Sequence, residues 1–467
     1  MKNIKPAHWL IMGISLTILG QMRFGIGLLG FLEPIPFLIY IERSKSSRSK
    51  LYLFVALLIG WTLATAKIVT DPIPWFISPA YGLPMALFKA AAYFSFIFLK
   101  DSKGTAWLFP AVFVLSEWAQ ANLTPFATWG SMAYTQVNNI VWLQIVSITG
   151  IWGLSFVIYF ISYQIYCLIS NRGNRLTPLV ILAPIILVST YGAVRLTLSE
   201  NTTHENITVA AVGTDSRIGP SEFPQSDARA ANREGIYQRM EIAAQAGAEL
   251  VVWTEAAAGI LPEEEVAFKS EVSSRVDSLN ITAVIGYVIP LQFNPLKYEN
   301  KYIVIDSTGE VIHEYYKHEP VPGEPAVKGT EPHEAFSSSG VTMGGAICYD
   351  FDFPNLGLQL ARLGVDIVAL PSSDWRGIDP IHTQMAAFRA VEGGYSLVRS
   401  TRWGLSAAVD HHGRIRAQLS DNDRGDKILW AQLPMSGVKT VYEVLGDWLP
   451  LLCVILILTS KFIAKKP

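Results

Sequence analysis

Apolar residues are spread along this chain in two unlike ways. Up to about residue 196 they come in long runs, at roughly 7–22, 24–41, 51–69, 82–99, 105–119, 141–169 and 177–195, and an eighth follows at roughly 447–463. Most approach the length of about 20 residues that a helix needs to cross a hydrocarbon core. Between about 197 and 446 the runs shorten and alternate with mixed charge, as the strands and helices of a water-facing fold do. The pattern predicts three parts: a membrane domain of seven transmembrane helices over 1–196, a single α/β domain over 197–446, and a last transmembrane helix with a tail over 447–467.

Inside the α/β part, Asn206–Val212 reads as a strand, Asp227–Ala248 has helical spacing, and Glu249–Trp253 is a short strand ending at Thr254-Glu255. Ile281–Ile289 is another strand. Lys301–Asp306 and Glu310–Tyr316 read as two strands around Ser307-Thr308-Gly309, with Lys317 directly after them. Val341–Tyr349 reads as a buried strand delivering Cys348 to a bend at Pro354. A helix near Asn355–Leu363, a strand at Asp366–Leu370, a helix from about Ile381 to Glu392, and strands near Tyr395–Ser400 and Ser406–Asp410 complete the series. Strands alternating with helices predict an α/β sheet domain, and the hairpin makes its sheet mixed.

Composition sharpens the picture. The chain is 50% hydrophobic and only 16% charged, more apolar than a soluble protein of this size. A net charge of −2 gives no basic field for nucleic acid. Lys2 and Lys5, then Arg43, Lys45, Arg48 and Lys50, then Lys100 and Lys103, then Arg172 and Arg175 occupy every second loop, whereas 70–81 and 120–140 hold no Lys or Arg. With Lys461, Lys465 and Lys466 at the end, the positive-inside bias predicts cytoplasmic termini and an external 197–446. The first run lacks a small-residue cleavage site followed by a soluble domain and reads as a retained helix. Trp75, Phe76, Trp129 and Tyr134 fall where aromatic rings favour the membrane interface. Glu33, Lys89 and Glu117 lie in apolar runs; each faces a cavity or partner helix, or, for the two acids, reaches interfacial water or a lipid headgroup.

Of three cysteines, Cys167 and Cys453 sit in apolar runs, which leaves Cys348 as the lone thiol of the α/β part and excludes a disulfide within it. Glu255, Lys317 and Cys348 each stand just beyond an apolar strand. Brought to one sheet edge, the carboxylate takes the thiol proton, while the lysine and the backbone N–H after Cys348 stabilise an oxyanion. That set suits acyl transfer through a thioester. Singly, each residue also has an ordinary role, as core thiol, helix cap or solvated cation. His411-His412 before Gly413 reads as an exposed hairpin turn without further metal ligands, and Glu263-Glu264-Glu265 as a solvated helix start. There is no Gly-rich phosphate loop and no Cys-x-x-Cys pair, and no cofactor is expected.

Val251-Val252-Trp253-Thr254-Glu255, Tyr316-Lys317-His318 with Val321-Pro322-Gly323-Glu324, and Ile347-Cys348-Tyr349-Asp350 with Phe353-Pro354 resemble the three signature blocks of the nitrilase superfamily. Flanked by seven apolar runs before and one after, the whole resembles its membrane-embedded branch, the apolipoprotein N-acyltransferases. Trp129-Gly130, Tyr134-Thr135-Gln136, Gly153-Leu154-Ser155-Phe156, Ser373-Asp374-Trp375, Gln384-Met385-Ala386, Arg389-Ala390 and Glu392 extend the match. The resemblance implies a polytopic helical domain plus an αββα sandwich, with Glu255 as general base, Lys317 as oxyanion partner and Cys348 as nucleophile. It further implies Glu324, Tyr349, Asp350 and Trp375 as supporting residues, although Arg389 with Glu392 also has plain i,i+3 pairing and Trp375 plain packing as readings. Asp350 stands where the family usually has Glu, and no family tryptophan can be matched near Gly213–Phe223. The implied reaction moves an acyl chain from a phospholipid to the N-terminal diacylglyceryl-cysteine of an apolipoprotein at the bacterial inner membrane. A membrane-anchored amidase or nitrilase-type hydrolase, a non-catalytic lipid-binding relative and, more remotely, a Cys-His peptidase stay open.

Overall fold

The structure, a computed structural model, describes residues 4–463 apart from 103, 201–204, 217, 219–222, 422–424 and 426. Lys2, Lys103, Lys465 and Lys466, used above for orientation, lie outside the described residues, as does part of 213–223. The chain divides into two units, Met1–Asn201 with Val444–Pro467, and Thr202–Glu443.

The first unit is helical. Among the described residues, three helices are both long and apolar enough to cross a membrane, Trp75–Leu99, Ile151–Ile169 and Thr177–Leu198, and shorter apolar helices occupy Pro6–Gly20, Ser49–Thr65, Ile140–Thr149 and Trp448–Ser460. The predicted run 24–41 is not one helix. Gly27–Phe31 makes a 3-10 turn, and the helix proper starts at Pro34 and ends at Arg43 after 10 residues, because proline suits the first helical turn but not the interior. The run 141–169 breaks at Gly150, whose φ of 62° is one that glycine adopts without steric cost.

None of the three ionisable residues in these runs reaches water. Lys89 Nζ donates to Glu117 Oε1 at 2.5 Å and to Tyr159 Oη at 2.6 Å. Glu117 also accepts from Ser131 Oγ at 2.8 Å, Ser155 Oγ at 2.7 Å and the Met132 N–H at 3.0 Å. Glu33 accepts from Thr17 Oγ1 at 3.0 Å and Gln21 Nε2 at 2.6 Å. Glu33 and Glu117 are each only 5% exposed, which favours the reading in which they face partner helices over the one in which they reach interfacial water. Several loops and helices converge on Glu117, so its charge organises the bundle. Lys89→Met is therefore expected to destabilise the protein by about 3–5 kcal/mol, the usual cost of stranding one member of a buried pair. Thermal unfolding in detergent checks this, and Lys89→Met/Glu117→Gln should recover part of the loss.

The second unit is a sandwich of two sheets. Its strands are β1 (Asn206–Val212), β2 (Leu250–Trp253), β3 (Ala258–Gly259), β4 (Thr282–Phe293), β5 (Leu296–Ile305), β6 (Val311–Tyr316), β7 (Phe336–Ser338), β8 (Val341–Gly345), β9 (Ile367–Ser373), β10 (Ser396–Arg402), β11 (Leu405–Val409), β12 (Ile415–Ser420) and β13 (Ile428–Pro434). One sheet has the order β13-β1-β2-β4-β5-β6, with β3 beside β4, and the other β12-β11-β10-β9-β8-β7. Strand alternation builds the layers. Val209, Leu250, Val252 and Val284 join residues of the second sheet in one core, whereas Ala210, Val251, Trp253 and Ile285 face the helices Ser226–Gln245 and Glu265–Leu279 through Ile236, Met240, Phe268 and Val272. The helices Pro354–Arg362 and Ile381–Gly393 contribute Leu360, Ala361, Ala386 and Ala390 to the core of the second sheet.

Two expectations need correction here. The strand predicted to run to Tyr349 stops at Gly345, and Cys348 begins a 3-10 turn, Cys348–Asp352, because the Asp350 carboxylate turns back to accept the Ile347 N–H at 2.8 Å. His411 and His412 do follow β11 in a turn, but they are 2% and 4% exposed, so the turn is packed rather than open.

Candidate active site

Three strand ends meet in the second unit. After β2 the chain passes Thr254, whose carbonyl lies so close to Gly286 of β4 that an added Cβ there would sit 2.3 Å from it. Glycine on the neighbouring strand is what lets this end bend inward. The next residue, Glu255, donates its backbone N–H to Ser372 O at 3.3 Å. Cys348 Sγ lies 3.5 Å from Ser373 O, so Glu255 and Cys348 meet consecutive carbonyls of β9. Lys317 follows β6 and is tied by its N–H to Asn300 O at 2.9 Å.

Their side chains form one buried polar group. Lys317 Nζ donates to Glu255 Oε1 at 2.7 Å and to Glu324 Oε2 at 2.6 Å. Asn300 Nδ2 donates to the same Glu255 Oε1 at 2.7 Å and to Glu324 Oε1 at 3.0 Å. The second oxygen, Glu255 Oε2, is buried and has no hydrogen-bond partner among the described residues. A carboxylate held by one oxygen with the other left over can accept a proton without breaking its anchors.

The electrostatics fit that division. Burial first, and then the Glu255 charge, push the Cys348 thiol well above its ordinary range, with Lys317 and Arg399 opposing. A preformed thiolate is therefore disfavoured, and loss of the proton has to accompany attack. Burial alone would lower Lys317, but Glu255 and Glu324 outweigh it and hold the ammonium well above its usual value, so it stays a cation. Cys348 has φ of 48°, a left-handed conformation that costs a side chain of order 1–3 kcal/mol and is commonest at functional turns.

The supporting residues divide. Glu324 touches Lys317 directly. Asp350 is wholly buried and accepts from the backbone N–H groups of His318 at 3.1 Å and Glu319 at 2.7 Å, from the Ile347 N–H, and from Tyr315 Oη at 2.9 Å. It therefore ties the loop after Lys317 to the turn of Cys348. Burial pushes its acid up to about 7 against the pull of those donors and Lys317. Tyr349 packs edge-on to Phe353, Trp375 is half-buried just past β9, and Arg389 pairs with Glu392 at 2.9 Å in its own helix. Sequence reasoning missed Asn300, Asp352, His382 and Arg399. Asn300 lies mid-strand, where only pairing with β6 reveals it, whereas His382 in the first turn of a helix after β9 was visible as a position without its partners.

A mixed αββα sandwich carrying this group at its strand ends is a nitrilase-like α/β domain. The chain belongs to the carbon–nitrogen hydrolase family, whose profile matches residues 208–443. Residues 14–164 match the apolipoprotein N-acyltransferase N-terminal domain. The chain is 26% identical over 380 residues to the apolipoprotein N-acyltransferase of Geobacter metallireducens, spanning 74% of this chain and 71% of that one. It is 25% identical over 428 residues to that of Rickettsia typhi, spanning 83% of each. An amidase from Nesterenkonia sp. aligns in three dimensions at a TM-score of 0.40 and 21% identity, over 50% of this chain and 93% of that one.

Proposed function

We propose that this chain is an acyltransferase that N-acylates the N-terminal diacylglyceryl-cysteine of apolipoproteins, with a membrane phospholipid as acyl donor. The observation that carries the reading is the union in one chain of a buried Glu255–Lys317 pair beside Cys348 with an N-terminal part that matches the apolipoprotein N-acyltransferase domain. In the first half-reaction Cys348 Sγ attacks the ester carbonyl while its proton passes to Glu255 Oε2. The oxyanion takes donors from Lys317 Nζ and the Tyr349 N–H. Collapse expels the lysophospholipid alkoxide, which regains the proton from Glu255, and leaves a thioester on Cys348. In the second half the α-amine of the acceptor attacks, gives its proton to Glu255, and the released sulfur recovers it as the amide forms. Glu324 keeps Lys317 charged and placed, Asp350 fixes the two loops, and Tyr349 and Trp375 border the acyl chain. A thioester found on Cys348 by mass spectrometry after incubation with phospholipid supports the scheme; its absence from active enzyme refutes it.

The helical part then spans the bacterial inner membrane with about eight segments and holds the catalytic part on the periplasmic side. Both substrates are lipids, so confinement turns the search into a planar one. The Lys and Arg alternation supports this orientation. Cysteines introduced at Ser46 and Ser337 should be labelled from the cytoplasmic and periplasmic sides respectively; labelling of both from one side would overturn the topology.

A further inference from the structure

A second group of charges reaches Cys348 besides Glu255 and Lys317. The helix Ile381–Gly393 brings His382, in its first turn, against the end of β9 and the turn Cys348–Asp352. Its Nδ1 lies 2.7 Å from Asp374 Oδ1 and its Nε2 lies 3.0 Å from Asp352 Oδ1. Arg399 on β10 donates to both oxygens of Asp374, at 3.1 and 2.8 Å. All four side chains are buried, and the Cys348 sulfur, an Asp374 oxygen and a His382 nitrogen lie within 4.8 Å of one another.

The short contact from each ring nitrogen to a carboxylate oxygen is the basis for assigning the protons. Two carboxylate oxygens facing two ring nitrogens need two N–H donors, so His382 is an imidazolium. Arg399 Nη2 also comes within 2.9 Å of Nδ1; with that nitrogen protonated, the two cations share Asp374 Oδ1 and do not bond each other. Two anions and two cations cancel, which is what makes the group tolerable in a dry interior. Both ring nitrogens of His382 and both oxygens of Asp374 are already engaged within the group, which makes it an ion-pair network and not a metal centre.

We infer that His382 is a positioning residue that sets the charge felt by Cys348: clamped between Asp352 and Asp374, it holds a fixed positive charge beside the sulfur, which favours the negative charge that attack places on the thiol. No bond to His382 forms or breaks, and the thiol proton still goes to Glu255. The inference rests on the reading of Cys348 as the nucleophile. The groups that face Cys348 are Glu255 after β2, Lys317 after β6, Asp374 after β9, and Arg399 and Arg402 on β10. Those that face His382 are Asp352 from the turn, Asp374 and Arg399. Burial alone would strip the proton from His382, but Asp352 and then Asp374 outweigh it and hold the ring up to about 9, so it stays cationic through neutral pH.

The test reads the thiol and not acyl transfer. Full-length protein in detergent is alkylated with iodoacetamide across a pH series, and modification of the Cys348 peptide is followed by mass spectrometry, apart from Cys167 and Cys453. Asp352→Asn keeps an oxygen acceptor for Nε2 but removes one negative charge, so in the acid part of the series, where His382 keeps its proton without Asp352, Cys348 should react about tenfold faster than in wild type. His382→Asn leaves two carboxylates against one guanidinium, so reaction should be about tenfold slower with the titration moved up. The double variant is neutral again and should return towards wild type. A purely packing role would move both single variants the same way, or neither, with the pH profile in place, and either result overturns the inference. Should His382→Asn fail to fold, Asp352→Asn decides alone: faster alkylation in the acid part of the series upholds the inference, equal or slower alkylation there overturns it. Wild-type protein that alkylates at Cys348 yet never forms an acyl adduct would instead remove the acyltransferase reading.

Discussion

Purified protein incubated with phospholipid is expected to gain one acyl chain on Cys348, and Cys348→Ala is expected to abolish that adduct. Glu255→Gln and Lys317→Met should each slow its formation by about 10²–10⁴-fold, because a general base and an oxyanion donor each commonly contribute that much. The two partner variants test different things. Glu255→Gln keeps an oxygen for Lys317 and Asn300 but can no longer take the thiol proton through Oε2, and Lys317 retains Glu324 at 2.6 Å. Folding should therefore be little affected, so the loss reports chemistry. Lys317→Met strands Glu255 and Glu324 together in a buried site, which costs about 3–5 kcal/mol of stability besides the rate. Its adduct rate has to be normalised to folded protein, by thermal unfolding in the same detergent. A near wild-type rate in either variant would remove that residue from the mechanism.

How much of this was written in the sequence differs by element. β1, β2 and the helix Pro354–Arg362 fall within a few residues of their expected bounds, because short apolar runs closed by polar turns specify buried strands strongly. β12 carried no such signal: no residue of Ile415–Ser420 is fully buried, and its pairing with β11 supplies what its own pattern lacks. The helical unit was legible as apolar but not as helices of given length, since hydropathy does not see where Pro34 must start a helix or where Gly150 must break one. In the site, Glu255, Lys317 and Cys348 could be picked out because each follows a strand. Asp350 could be named, but its task could not. Only the fold shows four donors converging on it from β6, the loop after β6 and the turn of Cys348. His382 and Asp352 stand 30 residues apart, and no local pattern couples a helix start to a turn on another strand.

The remaining expectation separates transfer from hydrolysis. Cys348 is 3% exposed, and a thioester formed there lies where few water molecules can approach it. Exclusion of solvent protects a reactive intermediate until its proper acceptor arrives. With phospholipid alone the acylated enzyme should therefore accumulate and persist. Adding a diacylglyceryl-cysteine peptide should discharge it, with one further acyl chain appearing on the peptide amine and the free thiol of Cys348 returning. Acetylating that amine first should leave the thioester in place, because the lone pair that would attack is then delocalised into an amide. Mass spectrometry of both protein and peptide reads each outcome. Hydrolysis predicts the contrary: steady release of free fatty acid at a rate indifferent to the peptide, with little acyl-enzyme at any time. As the proposed base, Glu255 would serve either nucleophile equally well, so the choice between water and amine would rest on access to the thioester and not on the Glu–Lys–Cys group itself.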